Sequence, residues 1–117
     1  MPAHILENAA TLDAATFTDW GDVSKPIGEP VSHQSGLIFF QNDDKSSEMG
    51  VWQCTPGTWR CEVSKDEFFY VLAGRAVYTE DGGEVTNVTA GMTCAFPAGW
   101  KGDCTVAETI RKVYMVR

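Results

Sequence analysis

Histidine is scarce in this chain: two residues among 117, His4 and His33. His4 stands near the chain start, where segments are commonly mobile. His33 follows Glu29-Pro30-Val31-Ser32 and reads either as a surface, locally hydrogen-bonded imidazole or as a residue that a loop delivers to a pocket. Basic residues are also few, nine Lys and Arg against sixteen Asp and Glu, for a net charge of −7. That balance speaks against nucleic-acid backbones and anionic membrane surfaces as partners. No apolar run approaches the roughly 18 residues of a membrane span. The first residues, Met1-Pro-Ala-His-Ile-Leu-Glu, have neither the basic nor the apolar region of a secretory signal, so a cytoplasmic protein is expected. The four cysteines are separated by six, thirty-two and nine residues and form no Cys-x-x-Cys pair. These spacings match no common zinc module, and reduced thiols packed as small hydrophobes are expected. Amphipathic helical periodicity over three turns is missing, as are internal repeats, low-complexity tracts and linkers.

Apolar surface, by contrast, is plentiful. Hydrophobic residues make up 44% of the chain, with six Phe, four Trp and three Tyr, enough to bury one core and to argue against disorder. Residues 1–35 are acidic and irregular, with Pro26, Gly28 and Pro30 breaking any helix. One helical turn fits within 11–20, and Phe17 and Trp20 are suited to pinning this arm across a sheet. From Gly36 the pattern changes to short strands. Apolar or alternating segments occur at 37–41, 49–54, 59–64, 68–72, 75–79, 84–88, 92–96, 104–107 and 110–116. They are separated by turn signals such as Pro56-Gly57, Gly74, Asp81-Gly82-Gly83, Ala90-Gly91 and Pro97-Ala98-Gly99. The run at 68–72 is continuous and apolar, as for a strand covered on both faces. Eight or nine strands at this spacing predict an all-β sandwich or barrel.

Two blocks carry a further pattern. In the first, Glu67 and Gly74 are separated by six residues. In the second, Gly91, Pro97 and Gly99 follow the order Gly, five residues, Pro, one residue, Gly. These resemble the two signature motifs of the cupin superfamily, over residues 36–116. The phrase Gly50-Val-Trp-Gln-Cys-Thr-Pro-Gly-Thr-Trp and the ending Thr109-Ile-Arg-Lys-Val-Tyr are similar to small single-domain cupins, grouped with the ureidoglycine aminohydrolase cupin domain and the ethanolamine-utilisation cupins. The resemblance implies a small antiparallel jelly-roll barrel at 36–117, with residues 1–35 packing on the barrel or on a dimer partner. It also implies a homodimer.

Metal-binding cupins supply His-x-His and Glu from the first motif and His from the second. Here the His-x-His positions fall on Cys61 and Val63, or on Arg60 and Glu62 in the other register, and the remaining position is Gly102. No histidine stands at any of them, so no cofactor is expected. A divalent metal held by Glu67, Cys61 and Cys104 is the alternative weighed against thiols that only pack. Glu67, an ionisable group within an apolar segment, is the candidate general acid or base, with Lys112 and Tyr114 as assisting groups. Its structural alternative is an ion pair with Lys112, Arg75 or Lys101. Trp52, Trp59, Cys61, Phe69, Phe96 and Cys104 are the candidate ligand pocket, an aromatic wall with a few polar groups. Which of Trp52 and Cys54, or of Lys112 and Tyr114, reaches the interior is left open. The implied function is binding or transformation of a small polar metabolite, an amine, ureide or sugar derivative. A non-catalytic ligand-binding or structural module is the alternative.

Overall fold

The period-two alternation becomes eight antiparallel strands in the computed structural model, which describes residues 2–117. They are β1 (Thr18–Asp22), β2 (His33–Gln41), β3 (Glu48–Cys54), β4 (Gly57–Glu62), β5 (Glu67–Glu80), β6 (Val85–Thr89), β7 (Thr93–Phe96) and β8 (Lys101–Val116). Helix among the described residues is confined to a 3-10 turn at Ala14–Thr16, whose Ala15 N–H donates to the Asp13 carboxylate. No helix of the described residues is long and apolar enough to cross a membrane.

The two longest strands, β5 and β8, pair from Glu67↔Val116 to Glu80↔Gly102 and form the spine. Along its other edge β8 pairs with β4 through its first half and with β3 through its second. Along its other edge β5 pairs with β7 and then β6. β2 and β1 extend the sheet from β3. The result is a jelly-roll-like barrel that is not strictly closed.

Three sequence expectations are corrected here. Gly74 does not end a strand, and residues 108–109 do not separate two: β5 and β8 run straight through these positions. The pairing instead slips at Val71/Ala73, Ala73/Arg75 and Arg75/Ala76. Such bulges add residues on one strand, bend it and change which face its side chains take. Phe69 and Val71 enter the core before the slip, and Ala76 and Tyr78 enter it after. Gly74 makes this possible, with φ +81° and no room for a side chain: a Cβ there would lie 2.1 Å from the Thr109 carbonyl oxygen. The run at 68–72 is also not covered on both faces, because Phe68 and Tyr70 are exposed on the outer side.

Phe69, Tyr78 and Phe96 form the aromatic centre of the core, with ring centroids 4.9–6.1 Å apart. Cys54, Cys104, Val106 and Ile110 are fully or almost fully buried around them. The segment before β2 is tied down at several points from Asn8 onward. β1 is a strand of the sheet, bonded to β2 with a slip at Asp19/Gly21. Ile27 N–H donates to the Thr58 carbonyl and Arg60 N–H to the Lys25 carbonyl, which covers the free edge of β4. Arg111, on the outer face of β8, donates from Nη1 to the carbonyls of Ala9, Ala10 and Leu12 and lies 4.7 Å from the Phe17 ring centroid.

Candidate functional site

The inner face of the sheet places its polar groups by register. Opposite one another on β3 and β8 stand Trp52 and Lys112, then Gly50 and Tyr114. On β8 and β5, Tyr114 stands opposite Phe69 and Val116 opposite Glu67. Two glycines give the large rings room. A Cβ at Gly50 would meet the Tyr114 hydroxyl at 2.7 Å, and one at Gly36 would meet the Trp20 ring at 2.7 Å. Between these groups lies a cavity of about 310 Å³, at the small end of the range for small-molecule sites.

Lys112 and Glu67 face each other on its wall. Lys112 Nζ donates to Glu67 Oε2 at 2.7 Å. The same ammonium sits 4.0 Å from the Phe69 ring centroid and 4.5 Å from that of Trp52. Their side chains are 9% and 19% exposed, so both depend on each other and on the rings for stabilisation lost from water. Tyr114 Oη donates to Glu48 Oε2 at 2.6 Å, and Gln41 Nε2 to Glu48 Oε1 at 3.0 Å. Trp52 Nε1 donates to Gln34 Oε1 at 3.1 Å.

Burial and the Glu48 carboxylate both raise the Tyr114 phenol far above its usual range, so it is a hydrogen-bond donor at neutral pH. Burial likewise pushes up the Cys61 thiol, against an opposing pull from Lys112, and it pushes the Cys54 thiol up to about 11. Cys104 is raised still further by burial. These thiols are protonated at neutral pH and are poor nucleophiles. What the wall offers instead is one ammonium–carboxylate pair, one further carboxylate and several aromatic rings.

Of the residues expected at the site, Trp52, Trp59, Cys61, Glu67, Phe96, Lys112 and Tyr114 all line the cavity. Phe69 and Cys104 do not, because both are fully buried behind the wall. They take the inward side of their strands but lie beneath other side chains. Phe69 still contributes, as the ring under Lys112. Cys54 and Trp52 both take the inner face, Cys54 in the core and Trp52 on the cavity wall, and Lys112 and Tyr114 both line the cavity as well. Trp20, Gln34, Glu48, Val63, Tyr78 and Val116 complete the lining. Strand alternation marked Val63, but Trp20, Gln34 and Glu48 depend on how distant strands pair. His33 lies outside this lining, held between Asp19 and Asp22.

The register also locates the positions where metal-binding cupins carry histidine. Cys61 and Val63 line the cavity, whereas Arg60 pairs outward with Asp81. Gly102, opposite Cys61, has no space for any side chain: a Cβ would lie 2.3 Å from the Thr79 carbonyl oxygen and 2.6 Å from the Trp100 ring. The set Glu67, Cys61 and Cys104 does not fit a divalent metal. Lys112 holds the Glu67 carboxylate, Cys104 is sealed in the core, and no group of three His, Cys, Asp or Glu side chains is arranged for a metal among the described residues.

A family model described as EutQ-like cupin domain matches residues 41–114. This chain belongs to the EutQ-like cupins. Among solved structures, a protein of unknown function from Pseudomonas syringae superposes with a TM-score of 0.79 at 24% identity, over 91% of this chain and 46% of that one. The EutQ protein of Clostridium difficile gives a TM-score of 0.63 at 21% identity, over 73% of this chain and 62% of that one. A putative ethanolamine utilization protein Q from Salmonella typhimurium gives 0.61 at 20% identity, over 86% of this chain and 93% of that one. The cupin thus spans about half the length of the Pseudomonas protein and under two thirds of the Clostridium one. At these identities the likeness concerns the fold. No curated protein matches the chain.

Proposed function

We propose that this small cupin takes a small polar metabolite (an amine, ureide or sugar derivative) into the barrel cavity and binds or transforms it without a histidine-ligated metal. The observation that carries the reading is the cavity of about 310 Å³ with the Lys112–Glu67 pair on an aromatic wall. Apolar rings supply contact area and the few fixed polar groups set orientation. In the catalytic version Glu67 accepts or returns a proton on the bound metabolite, with Lys112 or Tyr114 assisting. A non-catalytic binding module is the second reading. It is favoured by a specific feature: the Glu67 carboxylate and the Tyr114 hydroxyl are already engaged, with Lys112 and Glu48 respectively.

One experiment separates the two. The purified protein is challenged with a metabolite panel, recording unfolding temperature and turnover together. A ligand that raises the unfolding temperature and is converted in a pH-dependent manner, with conversion lost in folded Glu67→Gln, establishes the enzyme. Stabilisation without conversion establishes the binding module. Silence in both readouts across the panel sinks the proposal and leaves a structural role.

A further inference from the structure

The formally charged side chains on the cavity wall are Glu48, Glu67 and Lys112, two carboxylates against one ammonium. Lys112 neutralises Glu67 at 2.7 Å. Glu48 receives hydrogen bonds from Gln41 and Tyr114, both neutral donors, and among the described residues no cation pairs with it. The cavity therefore carries one uncompensated negative charge. Its wall is also rich in π surface, with the indoles of Trp20, Trp52 and Trp59. The same wall already holds a cation in this manner: the Lys112 ammonium lies against Trp52 and Phe69. Aromatic faces attract cations through the ring quadrupole, more strongly where water is excluded.

Building on the ligand-binding reading above, we propose that the ligand is a small organic cation, a protonated or quaternary amine, with its charged group between Glu48 and the indole wall. A cation brings the cavity to neutrality. An anion would add a second uncompensated charge beside Glu48, and a neutral polyol would leave the carboxylate's charge unmatched. The chain's net charge of −7 acts in the same direction, by raising the local concentration of cations around the mouth.

The test uses three compounds of closely similar shape and different charge: choline, neutral 3,3-dimethylbutan-1-ol and anionic 3,3-dimethylbutanoate. Methylammonium and tetramethylammonium extend the cation arm. Binding to the full chain is read by calorimetry and by tryptophan fluorescence. A cation is expected to bind roughly tenfold or more tightly than the alcohol, and the carboxylate most weakly. Added salt weakens the cation and leaves the alcohol unaffected. Glu48→Gln is expected to lower cation affinity about fivefold or more with no effect on the alcohol, its fold checked by its unfolding transition. Should that variant fail to fold, the salt dependence in the wild-type protein still decides. If the alcohol or the carboxylate binds as tightly as the cations, the charge assignment is overturned while ligand binding stands. If none of these compounds binds and the metabolite panel yields no ligand, both proposals fall.

Discussion

Lys112 gives the cavity a resident cation, and its environment makes a measurable claim. Two rings and one carboxylate surround the ammonium. Removing it by Lys112→Met strands Glu67 on an aromatic wall, and breaking such a pair from one side costs about 3 kcal/mol. Glu67→Gln strands the ammonium in turn, though a neutral amide oxygen and the rings still face it. The double variant removes both charges and is expected to recover much of the loss, with a coupling energy of about 2 kcal/mol. Urea unfolding of the four proteins measures it; purely additive losses would show that Lys112 is held by packing on the rings and not by Glu67. At this scale much of the site was readable from sequence. Alternation put Trp59 and Cys61 on one face and the motif resemblance added Glu67 and Phe96, while Trp52, Lys112 and Tyr114 stood as alternatives of register; all seven line the cavity. Phe69 and Cys104 were placed on the right face but at the wrong depth, since periodicity reports a side and not which side chain lies in front. Glu48 was missed because it opens β3 just before the apolar run, with nothing local to distinguish it from a solvated strand end.

Strands were legible where the period held and not where it slipped. The hairpin at Asp81-Gly82-Gly83 and the turn at Pro97–Gly99 fall where the turn residues predicted. The bulge region of β5 reads in sequence as a strand end, because a change of face and a break look alike along one chain. β1 was not legible at all. It begins in an acidic segment whose pairing with β2 is set by tertiary contacts, among them His33. That imidazole has a carboxylate oxygen within hydrogen-bond distance of each nitrogen, Asp22 Oδ1 at 2.8 Å from Nδ1 and Asp19 Oδ1 at 2.6 Å from Nε2. The two carboxylates reach it from either side of the β1 slip, with Trp20 of the cavity wall between them in sequence. Donation to both needs the imidazolium. The Asp22 bond first, then the Asp19 bond, raise the His33 pKa above its ordinary 6.5, and Asp19 is lowered by the Gly21 N–H and by His33. A raised value stabilises the fold in full below the ordinary pKa, and the contribution fades as pH climbs through the folded value. The unfolding temperature is therefore expected to drift down as pH rises from near 6.5, and His33→Gln is expected to flatten that drift. Parallel profiles for the two proteins would show that β1 is held without the imidazolium.

The whole molecule has a second apolar surface, on the outside of the sheet. Register builds it in two rows across four strands: Phe68, Met115, Met49 and Phe40, then Tyr70, Val113, Val51 and Leu37. Leu6 and Ala9 line a groove with Met49, Phe68, Val113 and Met115, and Val51 is fully buried. Phe68 and Tyr70 stay 47% and 38% exposed, beside a groove of about 410 Å³ with no charged residue in its lining among the described residues. Water is a poor neighbour for such a patch. The homodimer implied by the sequence resemblance would use it well, because two chains of charge −7 repel on average and an uncharged face adds nothing to that repulsion. This makes a specific expectation about salt. Hydrophobic contact is insensitive to modest screening, whereas the repulsion between the two acidic bodies weakens as the Debye length falls from about 10 Å at 0.1 M to about 3 Å at 1 M. Association should therefore tighten with added salt, opposite to a contact built on ion pairs. Light scattering is expected to give a mass of two chains at micromolar concentration, and Phe68→Glu to give one chain with its unfolding transition retained. A wild-type monomer that persists in high salt would remove this face as a self-association surface.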